Sequence, residues 1–229
     1  MVKPGQIPIR FPERSLAFNE MAITPSNRSA IAAVRRVAHW PYHVFCLIGP
    51  KQSGLSTIAT AWARECQGQY LTAPAFAELD GAKIEQLASA SLAIDRADLI
   101  NREDTLLSTI SAVGRLGGHL LLTARQAPIH WSSTSPDLTS RLKSAPIADL
   151  GAPDEPLMRA RLQRACVRAY LTLPSAVEDY LVTRLGLSFE GIEDVITRLN
   201  GAASGRAMSV HLAREVLQDD GKASEEDVG

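Results

Sequence analysis

The chain has 229 residues, of which 45% are apolar and 21% charged, and its formal net charge is -1. This is the composition of an ordinary globular protein with room for one substantial core and a smaller second unit. A charge near zero gives no overall attraction to nucleic acid, so contact with DNA would need a local basic patch. No apolar run approaches the ~20 residues of a membrane span, and the N-terminus lacks the apolar stretch of a signal peptide. We therefore expect a cytoplasmic protein without membrane association.

The N-terminal two thirds of the chain alternate between apolar strands and helices. Residues 1–25 are rich in proline and irregular, which predicts an extended arm. Strands and helices then alternate in a way that predicts a parallel sheet with helices on both faces, an α/β unit over residues 26–151. Strands are predicted at 43–48, 69–74, 91–95 and 118–123, helices at 26–38, 56–66 and 103–116, and a short segment of unassigned type at 82–89.

Beyond a boundary near Gly151, the pattern is helical only. Helices are predicted at 155–170, 175–185, 189–199 and 210–217, which makes residues 152–218 a small all-α unit. The polar, acidic residues 219–229 predict a disordered tail. Cys46 lies in a predicted strand, and Cys66 and Cys166 lie on predicted helices, so their spacing favours buried thiols over a metal site or a disulfide.

Residues 49–57 read GPKQSGLST, close to the phosphate-binding P-loop pattern G-x-x-x-x-G-K-[ST]. In that motif backbone N–H groups cradle phosphates, the lysine reaches the β and γ phosphates, and the hydroxyl binds magnesium. Gly49, Gly54 and Ser56 fit the pattern, followed by Thr57, but Leu55 stands where the lysine belongs. The alternative is a chance turn rich in glycine and serine. The apolar strand before the segment and the helix after it favour the P-loop.

Asp95 ends the apolar segment SLAID. A carboxylate at the end of a buried strand beside a phosphate loop is typical of magnesium binding, here together with Ser56, although a turn or capping aspartate fits the same pattern. Hydrolysis usually needs an adjacent acid that orients water, yet the next residue is Arg96. Asp98 could take that role only if the end of the strand curls, and otherwise it is a surface aspartate.

Arg141 lies in PDLTSRLKSAP, on a short predicted helix about one turn past Asp137. In oligomeric P-loop ATPases an arginine so placed stabilises charge on the nucleotide of the neighbouring subunit. The alternative is an exposed helix arginine without a special role.

The succession of GPKQSGLST, SLAID, LLLTARQAP, PDLTSRL and a four-helix C-terminal unit resembles the AAA+ proteins related to the bacterial replication initiator DnaA. The likeness is greatest to the Hda type, the short homologues without a DNA-binding domain. The arm QIPIRFPERSLAF, TPSN before the first helix and LLLTARQAPIHW are similar to the HdaA proteins of alphaproteobacteria. The resemblance spans roughly residues 5–218 and implies a P-loop AAA+ domain followed by a helical lid domain.

The resemblance also gives the arm a function. Hda-type proteins bind the DNA polymerase sliding clamp through a short peptide, and the matching residues here are Gln6, Ile7, Ile9 and Phe11. An extended arm stiffened by proline loses little entropy on docking, and Ile9 and Phe11 can fill an apolar pocket. The alternative is that these apolar residues pack on the domain itself.

The resemblance further implies a regulator of replication initiation that binds ATP-bound DnaA and promotes hydrolysis of its nucleotide. Arg141 matches the arginine finger, acting in trans, and Asp95 matches the Walker B aspartate. Because such arginines act across subunit boundaries, association with DnaA or self-association is expected.

Other positions depart from the family pattern. Leu55 replaces the loop lysine, Ala124 and Arg125 stand where the first sensor is expected, and Glu190 stands where the lid arginine is expected. Each charge-assisted contact contributes roughly 1.5–3 kcal/mol, so the loss of two weakens binding on the order of a hundredfold to ten-thousandfold. ADP or ATP with magnesium is therefore expected to bind weakly or not at all, with poor hydrolysis.

Two further alternatives stay open from the sequence. Lys51, two residues into the loop, could replace the missing lysine in an active ATPase. The chain could also be a nucleotide-independent DnaA-like adaptor with other partners. No recognition helix follows the lid, so sequence-specific DNA binding is not expected. The lid helix that carries arginines 159, 161, 164 and 168 could touch phosphates or acidic protein surfaces, but a solvated helix face is the more common arrangement and is the interpretation we adopt.

Overall fold

The computed structural model describes residues 16–203 and 206–223. The predicted clamp-binding residues Gln6, Ile7, Ile9 and Phe11 lie outside the described residues. The strands are β1 Val44–Ile48, β2 Gln69–Thr72, β3 Ser91–Asp95, β4 His119–Ala124 and β5 Ile147–Asp149. The helices are α1 Pro25–Arg35, α2 Leu55–Glu65, α3 Ala73–Ala77, α4 Gly81–Ala88, α5 Glu103–Leu116, α6 Pro136–Ser144, α7 Glu155–Arg168, α8 Ser175–Leu185, α9 Ile192–Ala202 and α10 Val210–Ala223.

The five strands form one parallel sheet in the order β2-β3-β4-β1-β5. Helices cover both of its faces, so the predicted α/β architecture is confirmed. The strand that precedes the P-loop, β1, pairs with β4 and not with β3. Asp95 at the end of β3 is therefore separated from the P-loop strand by β4, which places a residue of β4 between them.

Alternation along β1 explains how the sheet joins two cores. Successive side chains of a strand point to opposite faces. Val44 and Cys46 pack on one side with α5 and α6, whereas Phe45 and Leu47 pack on the other with α1 and α2. Because the central strands are buried on both faces, they read in the sequence as continuous apolar runs.

Helices α7 to α10 pack around a core of their own, in which Met158, Leu162, Leu181 and Leu199 are among the most buried side chains. Polar contacts join this unit to the beginning of the described chain. Asp154 caps α7 by accepting from the N–H of Leu157 at 3.0 Å, and its other oxygen accepts from the N–H of Ser26 at 3.0 Å. One carboxylate therefore caps α7 and binds the first turn of α1.

Several predicted elements shift, and both β5 and the short helix α3 were missed. The sequence reasoning did not find β5, a three-residue edge strand with exposed ends that lacks a long apolar run. The predicted strand at 69–74 ends at Thr72, because Thr72 caps α3 and Pro74 occupies its first turn. The unassigned segment at 82–89 is helix α4, capped by Asp80. Helix α10 extends past residue 217 to Ala223, although Gly221 and the two aspartates are weak helix formers.

Within residues 16–203 and 206–223, no helix is long and apolar enough to cross a membrane. The three cysteines are free thiols, with Cys46 and Cys166 buried and Cys66 half-buried. Burial raises the pKa of the Cys46 thiol to about 12, which keeps it protonated and unreactive.

We predict opposite effects of the same substitution at two glycines. A Cβ at Gly118 would lie 2.2 Å from the carbonyl oxygen of Ala88 and 2.3 Å from that of Ala90, so Gly118→Ala should lower the free energy of unfolding by about 2 kcal/mol. At Gly114, inside α5, a Cβ meets nothing within 4 Å. Gly114→Ala should stabilise by roughly 0.5–1 kcal/mol through helix propensity. Urea unfolding of both variants measures the difference, and equal effects would contradict it.

Candidate functional site

The loop between β1 and α2 has the tight geometry of a P-loop. Gly54 has a φ of +102° and forms the N-cap of α2, without a side-chain cap. Gln52 also lies in the left-handed region, with a φ of +64°. A Cβ at Gly49 would lie 2.8 Å from Ser53 Oγ and 3.1 Å from Leu150 Cβ. The first turn of α2 is therefore left to present its N–H groups to an anion.

The position of the missing lysine is part of the core. Leu55 is 7% exposed and packs in the same cluster as Ile31 and Ile58. Lys51, the cation of the alternative ATPase hypothesis, is exposed and lines the cavity beside the loop. The same cavity is lined by Ser56 and Thr57 at the start of α2.

Asp95 is 7% exposed and accepts hydrogen bonds from three hydroxyl groups. Ser56 donates to Oδ2 at 2.7 Å, Tyr70 donates to Oδ2 at 3.0 Å, and Thr123 donates to Oδ1 at 2.5 Å. Burial raises the pKa of the Tyr70 phenol to about 12, and the neighbouring Asp95 carboxylate acts in the same direction. Tyr70 is therefore a permanent donor at neutral pH.

The oxygen atoms of Ser56 and Asp95 are suited to the magnesium ion of a bound nucleotide. A hydroxyl from the first turn of α2 and a carboxylate from β3 meet at one point, and oxygen ligands are those that magnesium prefers. Ser56 and Asp95 are the residues that would hold the ion, which would supply positive charge to the phosphates of a bound nucleotide.

The residues that follow β3 do not offer an acid for activating water. Arg96 has a φ of +58°, and its N–H donates to Thr123 Oγ1 at 3.1 Å. Its guanidinium pairs with Asp98, Nε to Oδ1 at 2.9 Å and Nη2 to Oδ2 at 3.0 Å. Asp98 is half-buried in this pair, which occupies both of its oxygens.

Thr123 contacts Asp95 from β4, one residue before the position predicted for the first sensor. The sequence reasoning assigned this position to Ala124 and Arg125, whereas the polar side chain that contacts Asp95 comes from the preceding residue. Thr123 is fully buried and lies on β4, between the P-loop strand and β3. A signal was present, because Thr123 is the first polar residue after the apolar run of β4. Arg125 is exposed and lines the cavity.

Three arginines of α7 contact other parts of the fold, which corrects their interpretation as a solvated face. Arg161 Nη2 donates to the carbonyl oxygen of Gln52 at 2.6 Å, and Arg164 Nη2 donates to that of Glu20 at 2.6 Å. Arg168 lines the cavity and forms an ion pair with Glu193 of α9. Their spacing of three and four residues places them on one face of the helix, a signal that was readable in the sequence.

The fourth arginine of α7, Arg159, fits the solvated-face interpretation. Its guanidinium bonds Glu155 at 2.8 Å and Asp179 at 2.7 Å. These hydrogen bonds raise its pKa further above the usual range. Arg159 therefore has compensating carboxylates, and it is not among the residues that line the cavity.

Glu190, predicted at the position of the lid arginine, is exposed, and its backbone N–H donates to Ser188 Oγ at 3.2 Å. It precedes α9 and does not line the cavity beside the loop, where Phe189, Ile192 and Glu193 are found instead. Arg141 is exposed on α6, and the described residues give it no hydrogen bond or ion pair.

We predict that Thr123→Val destabilises the protein by about 1–3 kcal/mol, because a buried carboxylate loses a donor and the Arg96 N–H loses its acceptor. Thr109→Val is the matched control. Thr109 is equally buried, but its hydroxyl donates to the Thr105 carbonyl within the same helix, so its removal should change stability by less than about 0.5 kcal/mol. Chemical denaturation of both variants tests this, and equal losses would show that Thr123 matters only through packing.

No protein-family model matches the chain. Among curated proteins it is similar to the chromosomal replication initiator protein DnaA of Campylobacter jejuni, with 26% identity over 113 residues. That match covers 48% of this chain and only about a quarter of the relative, 26% of its length.

Solved structures are similar in fold over a larger part of the chain. Domain III of DnaA from Thermotoga maritima superposes with a TM-score of 0.75 at 19% identity, covering 89% of this chain and 95% of that domain. AMPPCP-bound DnaA from Aquifex aeolicus gives 0.67 at 16% identity, covering 92% and 69%. The Holliday junction branch migration motor RuvB of Thermotoga maritima gives 0.66 at 15% identity, covering 88% and 71%. The chain therefore has the fold of DnaA domain III, a parallel sheet flanked by helices and followed by a small helical unit.

Proposed function

We propose that this protein regulates replication initiation by binding DnaA and directing Arg141 at the nucleotide of its partner. The observation that carries the proposal is the state of Arg141, an exposed guanidinium for which the described residues supply no partner. Arg35 and Arg159, by contrast, are held by carboxylates. An arginine left free on a fixed helix is available to the phosphates of another subunit.

The structure around Arg141 holds its helix in place. The Glu103 carboxylate accepts from the N–H groups of Thr134 at 2.9 Å and Ser135 at 2.8 Å, just before α6 begins. Ser135 then caps α6 through the N–H of Leu138. On the inner side of α6, Leu138 and Leu142 are buried in the core. Arg141 therefore projects from a helix anchored at its start and along its inner face, which limits the entropy lost when it meets a ligand.

An apolar side chain is exposed near this helix. Ile129, 61% exposed, lies in the 3₁₀ turn Pro128–His130, which packs on α6. An exposed isoleucine near a free arginine is suited to a protein surface that buries the apolar group and pairs the charge. In our proposal this surface meets ATP-bound DnaA or, in self-association, a second copy of the chain.

We further propose that the sliding clamp recruits the protein through Gln6, Ile7, Ile9 and Phe11. The support is the sequence of the arm and its resemblance to the clamp-binding peptides of Hda-type proteins. An arm that docks by a short peptide leaves the folded domain free to reach DnaA, so that the clamp raises the local concentration of the regulator.

The rival function is an ATPase that uses Lys51. One observation favours it, because Lys51 lines the cavity beside the loop together with Ser56. Against it, Arg96 follows Asp95 and holds Asp98 in an ion pair, so neither residue supplies a free acid that would orient water. We therefore favour regulation of a partner's nucleotide over ATP hydrolysis by this protein itself.

We predict that Arg141→Ala lowers the stimulation of DnaA ATP hydrolysis by about 10³-fold, the scale for loss of an arginine finger, while clamp binding is unchanged. Lys143→Ala, an exposed cation two residues along α6, is the matched control and should keep most of the stimulation. The assay measures phosphate release by ATP-bound DnaA with the regulator and the DNA-loaded clamp. An equal loss of stimulation in both variants would show that Arg141 acts only through its surface charge. Full stimulation by Arg141→Ala would overturn the proposal.

We predict that the double substitution Gln6→Ala/Phe11→Ala abolishes binding to the sliding clamp, because the arm loses its polar contact and its largest apolar anchor. Surface plasmon resonance with the purified clamp measures the affinity, and a competing clamp-binding peptide identifies the pocket. Arg10→Ala, which changes the residue between two predicted anchors, should retain binding within about threefold. Unchanged binding by the double variant would assign clamp recognition to another surface.

A further inference from the structure

The cavity between the P-loop and the lid carries a marked excess of positive charge. Its volume is about 420 Å³. Among the described residues that line it, five side chains are cationic and one is a carboxylate, as follows: Lys51, Arg96, Arg125, Arg161, Arg168 and Glu193. Arg96 is neutralised by Asp98 and Arg168 contacts Glu193, so the remaining charge has no matching acid in the lining. Such a cavity is suited to an anion.

Arg161 reaches the loop from the opposite domain. Its Nη2 donates to the carbonyl oxygen of Gln52 at 2.6 Å, and its Nη1 lies 3.4 Å from the point that a Cβ of Gly54 would occupy. The guanidinium carbon lies 5.0 Å from the ring centroid of Phe189. These contacts hold the group in place but do not neutralise it. Burial lowers the pKa of Arg161, and Arg168 and Arg164 act in the same direction while Glu193 opposes them.

A second, independent feature of the loop also indicates an anion. Ser53 Oγ is buried and has no hydrogen-bond partner among the described residues, and Ser53, at 7% exposure, lines the cavity. A buried hydroxyl without a partner costs about 1–3 kcal/mol, so a ligand oxygen within its reach is favoured. The uncapped N-terminus of α2 begins two residues further on.

We infer that Arg161 and Arg168 of the lid bind the phosphates of a nucleoside di- or triphosphate on this loop, in place of the lysine that Leu55 replaces. The planar fork of an arginine binds two phosphate oxygens in a fixed bidentate geometry, whereas a lysine acts as a compact point charge. From the sequence, the loss of two cations predicted weak nucleotide binding, because the arginines of the lid helix were assigned to a solvated face. The structure adds two guanidinium groups to the same cavity from a helix that the motif does not include.

The nucleotide bound here is the protein's own and is distinct from the nucleotide of DnaA on which Arg141 is proposed to act. Because Arg161 belongs to α7 and the loop belongs to the α/β unit, the phosphates would join the two units, and affinity should rise with the number of phosphates. We assign Arg161 and Arg168 to the phosphates and not to the base or ribose. A comparison of ADP with AMP therefore separates phosphate binding from binding of the rest of the nucleotide.

The experiment is calorimetric titration of the full-length protein with ADP and with AMP, for wild type and single variants. We expect Arg161→Ala and Arg168→Ala each to weaken ADP binding by about 10-fold or more, and to reduce the preference for ADP over AMP. Arg159→Ala is the matched control from the same helix, since Arg159 does not line the cavity and bonds Glu155 and Asp179 instead. Arg159→Ala should stay within about threefold of wild type, and Lys51→Ala should weaken ADP binding less than either lid-arginine variant does.

Three results would overturn the inference. They are absence of ADP binding by wild type at millimolar concentration, loss of binding in Lys51→Ala with Arg161→Ala unaffected, and equal weakening of ADP and AMP in both arginine variants. Arg161 also contacts the loop, so Arg161→Ala could unfold part of the lid. Thermal unfolding without nucleotide shows whether Arg161→Ala has lost structure. If it has, Arg168→Ala still tests the inference, because Arg168 is exposed. Because none of these readouts involves DnaA or Arg141, failure here is distinguishable from failure of the regulatory proposal.

Discussion

The buried carboxyl group of Asp95 positions the elements that meet at the carboxyl ends of the strands, where the site lies. A carboxylate removed from water is costly unless hydrogen bonds replace its hydration. The three hydroxyl donors come from α2, β2 and β4, so satisfying Asp95 fixes the P-loop helix and two strands relative to β3. Thr123 also accepts from the N–H of Arg96, which sets the left-handed turn that begins there. One buried acid thus positions both the loop and the residues beyond the strand.

Positive charge beside the loop comes from α7 and not from the loop position that carries a lysine in the P-loop motif. The loop position that normally carries a lysine has become core, because Leu55 is buried against α1. Arginines of α7 enter the same region from the lid. Asp154 and Arg164 bind the start of α1 and the segment before it, so the orientation of α7 depends on backbone contacts far away in sequence. A change in one motif residue therefore says little about the total charge of the site.

Local patterns predicted most of the fold. Continuous apolar runs marked β1, β3 and β4, and the bounds of α5 and α8 agree with the predicted helices. The edge strand β5 was missed because three residues with exposed ends carry no pattern. In the site, Ser56 and Asp95 were predicted as a pair and do meet, since both motifs lie at the same edge of a parallel sheet. Tyr70 gave no signal, because its role depends on β2 pairing with β3.

The sequence by itself determined the alternation of strands and helices, the glycine geometry of the loop and the loss of its lysine, because each depends on neighbouring residues. Only the tertiary structure decided which charges surround that loop. Arg161 lies 109 residues from its hydrogen-bond acceptor Gln52, and a helical pattern cannot tell whether its polar face meets water or another domain. The packing of α7 against the loop decided it, by bringing the guanidinium groups of Arg161 and Arg168 into the cavity beside an uncapped helix N-terminus.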